Sequence, residues 1–468
     1  MSPRRFLIFT VAAATSPFFS VLESGVDAQE ARDLGSVRRS LEQAGVEIAF
    51  TYYGEVFANS SGGARQGVVY EGRLGTIIDA DLEKLMGWSG ARFHASTHQV
   101  HGRGLSENYV QNLMAVSGIE APPTTRLFNL WVEQTLDKFT SVRIGQITAA
   151  QEFFVSQNAN LFVNSTFGWP AITAQNLPSG GPSYPEATPG ARLKVSPDDR
   201  FTFLTAIFNG DPAGPGPGNP VDRDPFGLAF RLRDPPFLIG EVAYAYNQTK
   251  RGHDTNPHQE GAAAPSANQA NLGLPGTVKF GGWYHAERFA DQRFDRQGFA
   301  LADPLSSGQP RQHRGNWGLY AILDQMLWRA PDAIEDQGLS VFARGSGNPG
   351  DRNLIDLYVD AGLTYKGLIP GRPNDVAGAG FGLARISAQA RASDRDVIAF
   401  SGVPMPIRDF EAVFEVTYQA QIAPNWSVQP TIQYIAHPGA HVPNPDDPGS
   451  GSAIANATVL GVRTVGKF

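Results

Sequence analysis

Residues 457–468 read ATVLGVRTVGKF, Ala457 to Phe468, and their alternation decides the fold. Leu460, Val462, Thr464, Gly466 and Phe468 share one parity; Val459, Gly461, Arg463, Val465 and Lys467 share the other. A period of two belongs to a strand, not a helix. A strand that runs to an aromatic last residue needs a partner, because an unpaired edge exposes a row of N–H and C=O groups. Closing a sheet into a barrel provides one: the last strand pairs with the first. Leu460, Val462 and Phe468 then face lipid.

The same period recurs from Val46 onward. In VEIAFTYYGEV, Val46, Ile48, Phe50, Tyr52 and Val56 oppose Glu47, Thr51, Tyr53 and Glu55. In VVYEGRLGTIID, Val68, Tyr70, Leu74 and Ile78 oppose Glu71, Arg73 and Asp79. Further strands are expected at 91–101, 125–136, 139–147, 190–196, 201–209, an irregular one within 226–247, then 277–288, 315–329, 338–345, 353–368, 376–387, 409–422, 426–436 and 452–468. The fold class is all-β: a transmembrane antiparallel barrel of about sixteen strands, or eighteen if 226–247 splits around Arg233-Asp234-Pro235-Pro236. Short turns rich in Pro, Asn and Asp (DKF, SPDDR, PGRPND, APN) alternate with long links at 102–124, 148–189, 210–225, 289–314, 388–408 and 437–451. The short turns are expected in the periplasm and the long links outside. The link 248–276 breaks this pattern by running long on the periplasmic side. Tyr70, Trp317, Tyr365, Tyr418 and Tyr434 sit on apolar faces near strand ends, as an aromatic girdle requires.

Composition narrows the class. Cysteine is absent, so no disulfide or thiolate site is expected. The formal net charge of -7 is spread along the chain and forms no basic stripe, so no nucleic-acid partner is expected. The mean hydropathy is -0.23, with no helical span past the first residues. Those residues, 1–28, read as a secretory signal: a basic start with Arg4 and Arg5, an apolar run from Phe6, and Val26-Asp27-Ala28 as a small-x-small cleavage site. Residues 29–45 are expected to form a short periplasmic segment with one helical piece, and 46–468 the barrel.

Few residues suggest chemistry. RFHASTHQVH contains His94, His98 and His101; on a helix His94 and His98 would meet, but on a strand they stand about 13 Å apart, too far to share one ion. No metal, cofactor or catalytic residue is assigned, and no nucleophile–base pattern points to an enzyme. Gly378, Gly380 and Gly382 share one strand face and leave room for something packed inside. Asp356 and Asp360 share a face. The link 148–189 carries QEFFVSQNANLFVNSTFGWP, too aromatic for a free surface loop. Its Phe153, Phe154, Phe162, Phe167 and Trp169 need burial, which favours folding into the barrel over packing on its rim.

The segments VRIGQITAAQEFFVSQNANLFVNSTFGWP, GTVKFGGWYHAERF, GNWGLYAILDQMLWR, LYVDAGLTYKGLIPGRPND and APNWSVQPTIQYIAHPGA together resemble the carbohydrate-selective porins of the OprB family. The resemblance runs in order from about Leu34 to Phe468. It implies a sixteen-stranded outer-membrane barrel that passes glucose-like sugars by diffusion. GDPAGPGPGNPVDRD and EGAAAPSANQANLGLPG depart from the family and fall in loops, where they bear on substrate range. A C-terminal phenylalanine resembles the signal read by the barrel-assembly machinery, which makes Phe468 that partner's contact.

The expected pore-lining residues are Glu71, Arg73, Arg92, His94, Trp131, Glu133, Arg143, Asp356, Tyr358 and Asp360. Phe154, Asn158, Asn160, Asn164 and Trp169 are expected in a constricting loop. Such side chains replace a sugar's hydration, weakly enough for release. A general porin for small hydrophilic solutes or anions stands as the alternative, and an outer-membrane hydrolase as a third reading. Sugars and outer-membrane lipid are the expected partners; a homo-oligomer stays open.

Overall fold

A computed structural model describes residues 28–248, 273–329, 336–447 and 451–468. The expected signal lies outside the described residues except at Ala28, as does most of the long 248–276 link. A helix, Ala28–Gln43, leads into the barrel and lies against β1 (Val46–Gly63).

The remaining strands are β2 (Gly67–Asp81), β3 (Ala91–Gly102), β4 (Thr124–Thr135), β5 (Thr140–Ile147), β6 (Thr188–Val195), β7 (Phe201–Asn209) and β8 (Pro236–Tyr246). Then come β9 (Gly276–Asp295), β10 (Pro310–Arg329), β11 (Gly338–Gly347), β12 (Ile355–Lys366), β13 (Val376–Ile386), β14 (Phe410–Ala423), β15 (Trp426–Ala436) and β16 (Ala455–Lys467). Each pairs antiparallel with its sequence neighbour, and β16 pairs with β1, so these sixteen described strands close. The seam runs from Thr51–Lys467 to Gly63–Ala455. It ends in a reciprocal backbone pair: Phe468 N–H donates to Phe50 O at 2.9 Å and Phe50 N–H to Phe468 O at 3.2 Å.

The segment 226–247 contains one strand, which fixes the count at sixteen. Pro235 and Pro236 lack N–H donors, so the β7–β8 ladder begins only at Pro236, opposite Asn209. Before them the chain is irregular. Its Phe226 O accepts from Leu127 N and its Gly227 O from Gln146 Nε2, so this stretch covers the wall where β5 is short.

Parity follows the sequence reading. Val56, Val68, Tyr70, Leu460, Val462 and Phe468 are exposed on the outer face, while Glu55, Glu71 and Val459 on the other parity are buried. Bulges shift it locally, and two of them bear on candidate residues. On β4, Ser96 pairs with Asn129 but Thr97 with Leu127, so Phe128 is an extra residue. Above it the inward positions change from odd to even, which turns Arg126 inward. On β12, Ile355 pairs with Ile386 but Leu357 with Arg385, leaving Asp356 extra.

Candidate functional site

The inner wall of β3 to β6 carries a charged and aromatic group assembled by strand register. Glu133 pairs with Arg143 across β4–β5, and Arg143 with Arg192 across β5–β6. Two arginines side by side repel unless carboxylates stand between them. Here Glu133 contacts Arg143 Nη2 at 2.6 Å and Arg192 Nη2 at 3.0 Å. Glu152, from the link after β5, contacts Arg143 Nη1 at 2.8 Å and Arg192 Nε at 2.7 Å. The four charges cancel and fasten the start of that link to the wall.

The Arg143 guanidinium lies 3.7 Å from the centre of the Trp131 ring. His94 stacks on Trp131 with centroids 4.7 Å apart, and its Nδ1 meets Asp79 Oδ1 at 2.7 Å. Trp131, Glu133, Arg143 and Glu152 are half-buried, so water reaches them. Arg73 sits over the rings of Tyr53 and Tyr184. Arg92 is exposed near the short-turn end of β3. The three histidines are kept apart: His98 packs between Phe128 and Tyr184, and His101 turns to the outer face beside Tyr52.

Opposite this wall, the link 148–187 crosses the lumen and fastens to strands far along the chain. Phe154 stacks on Tyr320 of β10 at 4.2 Å, and its N–H donates to Glu241 of β8 at 3.0 Å. Ser156 Oγ donates to Asp324 at 2.6 Å, and Asn158 N and Nδ2 reach the same oxygen. The N–H groups of Val163 and Asn164 donate to the two oxygens of Glu415 on β14 at 2.7 and 2.9 Å. Phe162, Phe167 and Phe342 form a buried aromatic cluster against β13. A Cβ on Gly378 would stand 2.5 Å from Leu161 Cδ2, and one on Gly380 2.8 Å from Phe162 Cε1. The glycines therefore make the room expected of them. Trp169, by contrast, turns back into its own link, donating Nε1 to Gly180 O at 3.0 Å. Asn160 is exposed.

A second link also enters, which the sequence reading did not anticipate. In residues 103–123, Leu105, Val110, Met114 and Val116 are fully buried. The N–H groups of Leu113 and Met114 donate to Glu411 at 2.7 Å each, and Gln433 Nε2 to Val116 O at 2.8 Å. The two links join each other through Gly118 N–H to Val163 O at 2.9 Å and Ser165 N–H to Ala115 O at 2.9 Å. The apolar spacing of Leu105, Val110, Met114, Val116 and Ile119 was the available signal.

Four expected pore-lining residues have a different placement. Tyr358 and Asp360 do face inward but are sealed under the crossing link. Tyr358 Oη meets Asp360 Oδ2 at 2.7 Å and Thr166 Oγ1 at 2.8 Å, and Asp360 holds Arg344. Asp356 does not share their face. The β12 bulge turns it toward exposed Arg385, 2.9 Å away, on the outer parity. Glu71 faces inward but is buried at 2% exposure beside Glu55, its cross-strand partner. Missed altogether was Arg126, buried against Glu186 in a two-point pair, because the β4 bulge reverses its parity.

The sequence model described as "Carbohydrate-selective porin, OprB family" matches residues 65–468. Porin B of Pseudomonas aeruginosa is 24% identical over 428 residues, covering 87% of this chain and 86% of its own. The high-pH structure of Pseudomonas putida OprB superposes with a TM-score of 0.75 at 22% identity, covering 93% of this chain and 97% of that one. The low-pH structure gives 0.52 at 17% identity over the same shares.

Proposed function

This chain belongs to the OprB family of carbohydrate-selective porins and is an outer-membrane sugar channel, and from that premise we propose which residues meet the sugar. Uncharged glucose-like sugars pass by diffusion between the crossing links and the β3–β6 wall. The observation that carries this is the water-accessible group of Trp131, Arg143, Glu133 and Glu152. An aromatic ring offers the flat apolar face of a sugar a platform. Paired charges offer its hydroxyls donors and acceptors while presenting little net charge to select ions. Arg73, Arg92 and exposed Asn160 extend the polar path, and His94, buried against Trp131, steadies that ring. Tyr358 and Asp360 act instead by holding the link that narrows the channel.

Residues 1–28 serve as the export signal, 29–45 as a periplasmic lead-in, and Phe468 as a contact for the assembly machinery. Liposome swelling with glucose, longer oligosaccharides and charged analogues tests the sugar reading. Glucose entering faster than size-matched anions and faster than oligosaccharides supports it. Equal rates for neutral and charged solutes of one size favour a general porin. Turnover of ester or peptide substrates would favour the hydrolase reading.

A further inference from the structure

We propose that Asp409, His437 and His441, at the extracellular mouth, bind a late first-row divalent cation such as zinc. Among the described residues these three offer one ligand atom each, all within 4.8 Å of one another. His437 Nδ1 lies 2.9 Å from Asp409 Oδ1, and His441 Nδ1 3.8 Å from Asp409 Oδ2. Ligands about 2.1 Å from a tetrahedral zinc stand roughly 3.4 Å apart, so small ring rotations close the set. Two imidazoles and one carboxylate suit zinc, nickel or copper, whereas calcium and magnesium prefer all-oxygen shells. All three side chains keep about a third of their surface open, leaving a coordination position for water.

The backbone is shaped to present the histidines. His437, Ala440 and His441 all have positive φ, at 52°, 62° and 75°. Non-glycine residues adopt that region at a cost, and a run of them marks a site held for a purpose. The turn carrying both rings is tied to the acid: Asp409 N–H donates to Ala440 O at 3.1 Å. The two rings stack with centroids 4.5 Å apart.

The site is coupled to the channel by geometry. Asp409 immediately precedes β14, and two residues on, Glu411 accepts from Gly439 of the same turn as well as from Leu113 and Met114 of the second inward link. An ion joining Asp409 to the turn would therefore brace the anchor of that link.

Calorimetric titration of zinc into the untagged barrel in detergent tests the proposal. One saturable site per chain is expected, weakened at least tenfold in His441→Ala and in Asp409→Asn and unchanged in His313→Ala. Calcium and magnesium in excess should not displace the zinc. His441 is the most exposed of the three, so its variant keeps the barrel fold, which heat-modifiable migration on gels verifies. Absence of a saturable site in the wild type, wild-type affinity in both site variants, or displacement by calcium would overturn it.

Discussion

Arg344 of β11 and Asp360 of β12 are cross-strand partners, and the guanidinium that Asp360 holds also donates to the carbonyls of Phe154, Thr166 and Gly168. Neither side chain is exposed. One ion pair thus seats both limbs of the crossing link. Arg344→Ala should leave Asp360 buried and unpaired, at a cost of about 3–5 kcal/mol. The link should then detach. Single-channel recording should show larger, noisier conductance, and limited proteolysis should cut within 150–170. Wild-type conductance and resistance in the variant would remove this pair as the clamp.

Arg143→Ala should act at the opposite wall. It removes the guanidinium from Trp131 and one positive charge from the neutral group with Arg192, Glu133 and Glu152. A hydrogen bond to a charged group is worth roughly 1.5–3 kcal/mol, so sugar block of ion current should weaken measurably. Conductance should rise as a bulky donor leaves. The channel should also become more cation-preferring, visible as a shifted reversal potential under a salt gradient. If sugar block and reversal potential both stay at wild-type values, Arg143 is not at the sugar path.

The second inward link should respond to pH. Burial pushes the Glu120 carboxyl up from 4.5 to about 7, partly offset by hydrogen bonds from Ser106 N–H and Oγ. The seated link therefore keeps a proton that a released link loses. Seating is most favoured below pH 4.5, weakens as pH rises toward 7, and levels off above it. Hydrogen exchange across 105–119 should be slower at pH 5 than at pH 8, after correction for intrinsic rates. Glu120→Gln should flatten the difference, and a pH effect that persists in that variant would place its origin elsewhere.

Deleting Phe468 should cost the two backbone hydrogen bonds with Phe50, about 1 kcal/mol each. That is small beside a barrel's ladder, and charge near a membrane interface costs only ~0–1 kcal/mol. Any large loss of heat-modifiable barrel from the outer membrane, in the deletion or in Phe468→Asp, then reports failed recognition during assembly. Normal amounts in both would leave Phe468 as an ordinary seam residue.

The strands were legible because lipid on one side and water on the other impose a period of two on each of them. Gly378, Gly380 and Gly382 were legible for a related reason: a face without side chains implies a visitor. What the pattern could not carry was any single extra residue. Phe128 and the Asp356 bulge each shift parity without changing composition, so Arg126 was overlooked and Asp356 was assigned to the wrong face. Tyr358 and Asp360 were placed on the correct face, yet parity says nothing of what covers them. That depends on a link some 190 residues earlier in the chain, reaching Tyr358 through Thr166.

The distance in sequence between the crossing link and its anchors has a temporal consequence. The link leaves β5, but Asp324, Arg344, Glu415 and Gln433 belong to β10, β11, β14 and β15. None of these sockets exists while only the first third of the chain has been laid down. The link can therefore be fastened only once β10 to β15 are in place, so wall and narrowing are completed together. Because β16 must still pair with β1, a chain lacking β14 onward could neither close its wall nor narrow its passage.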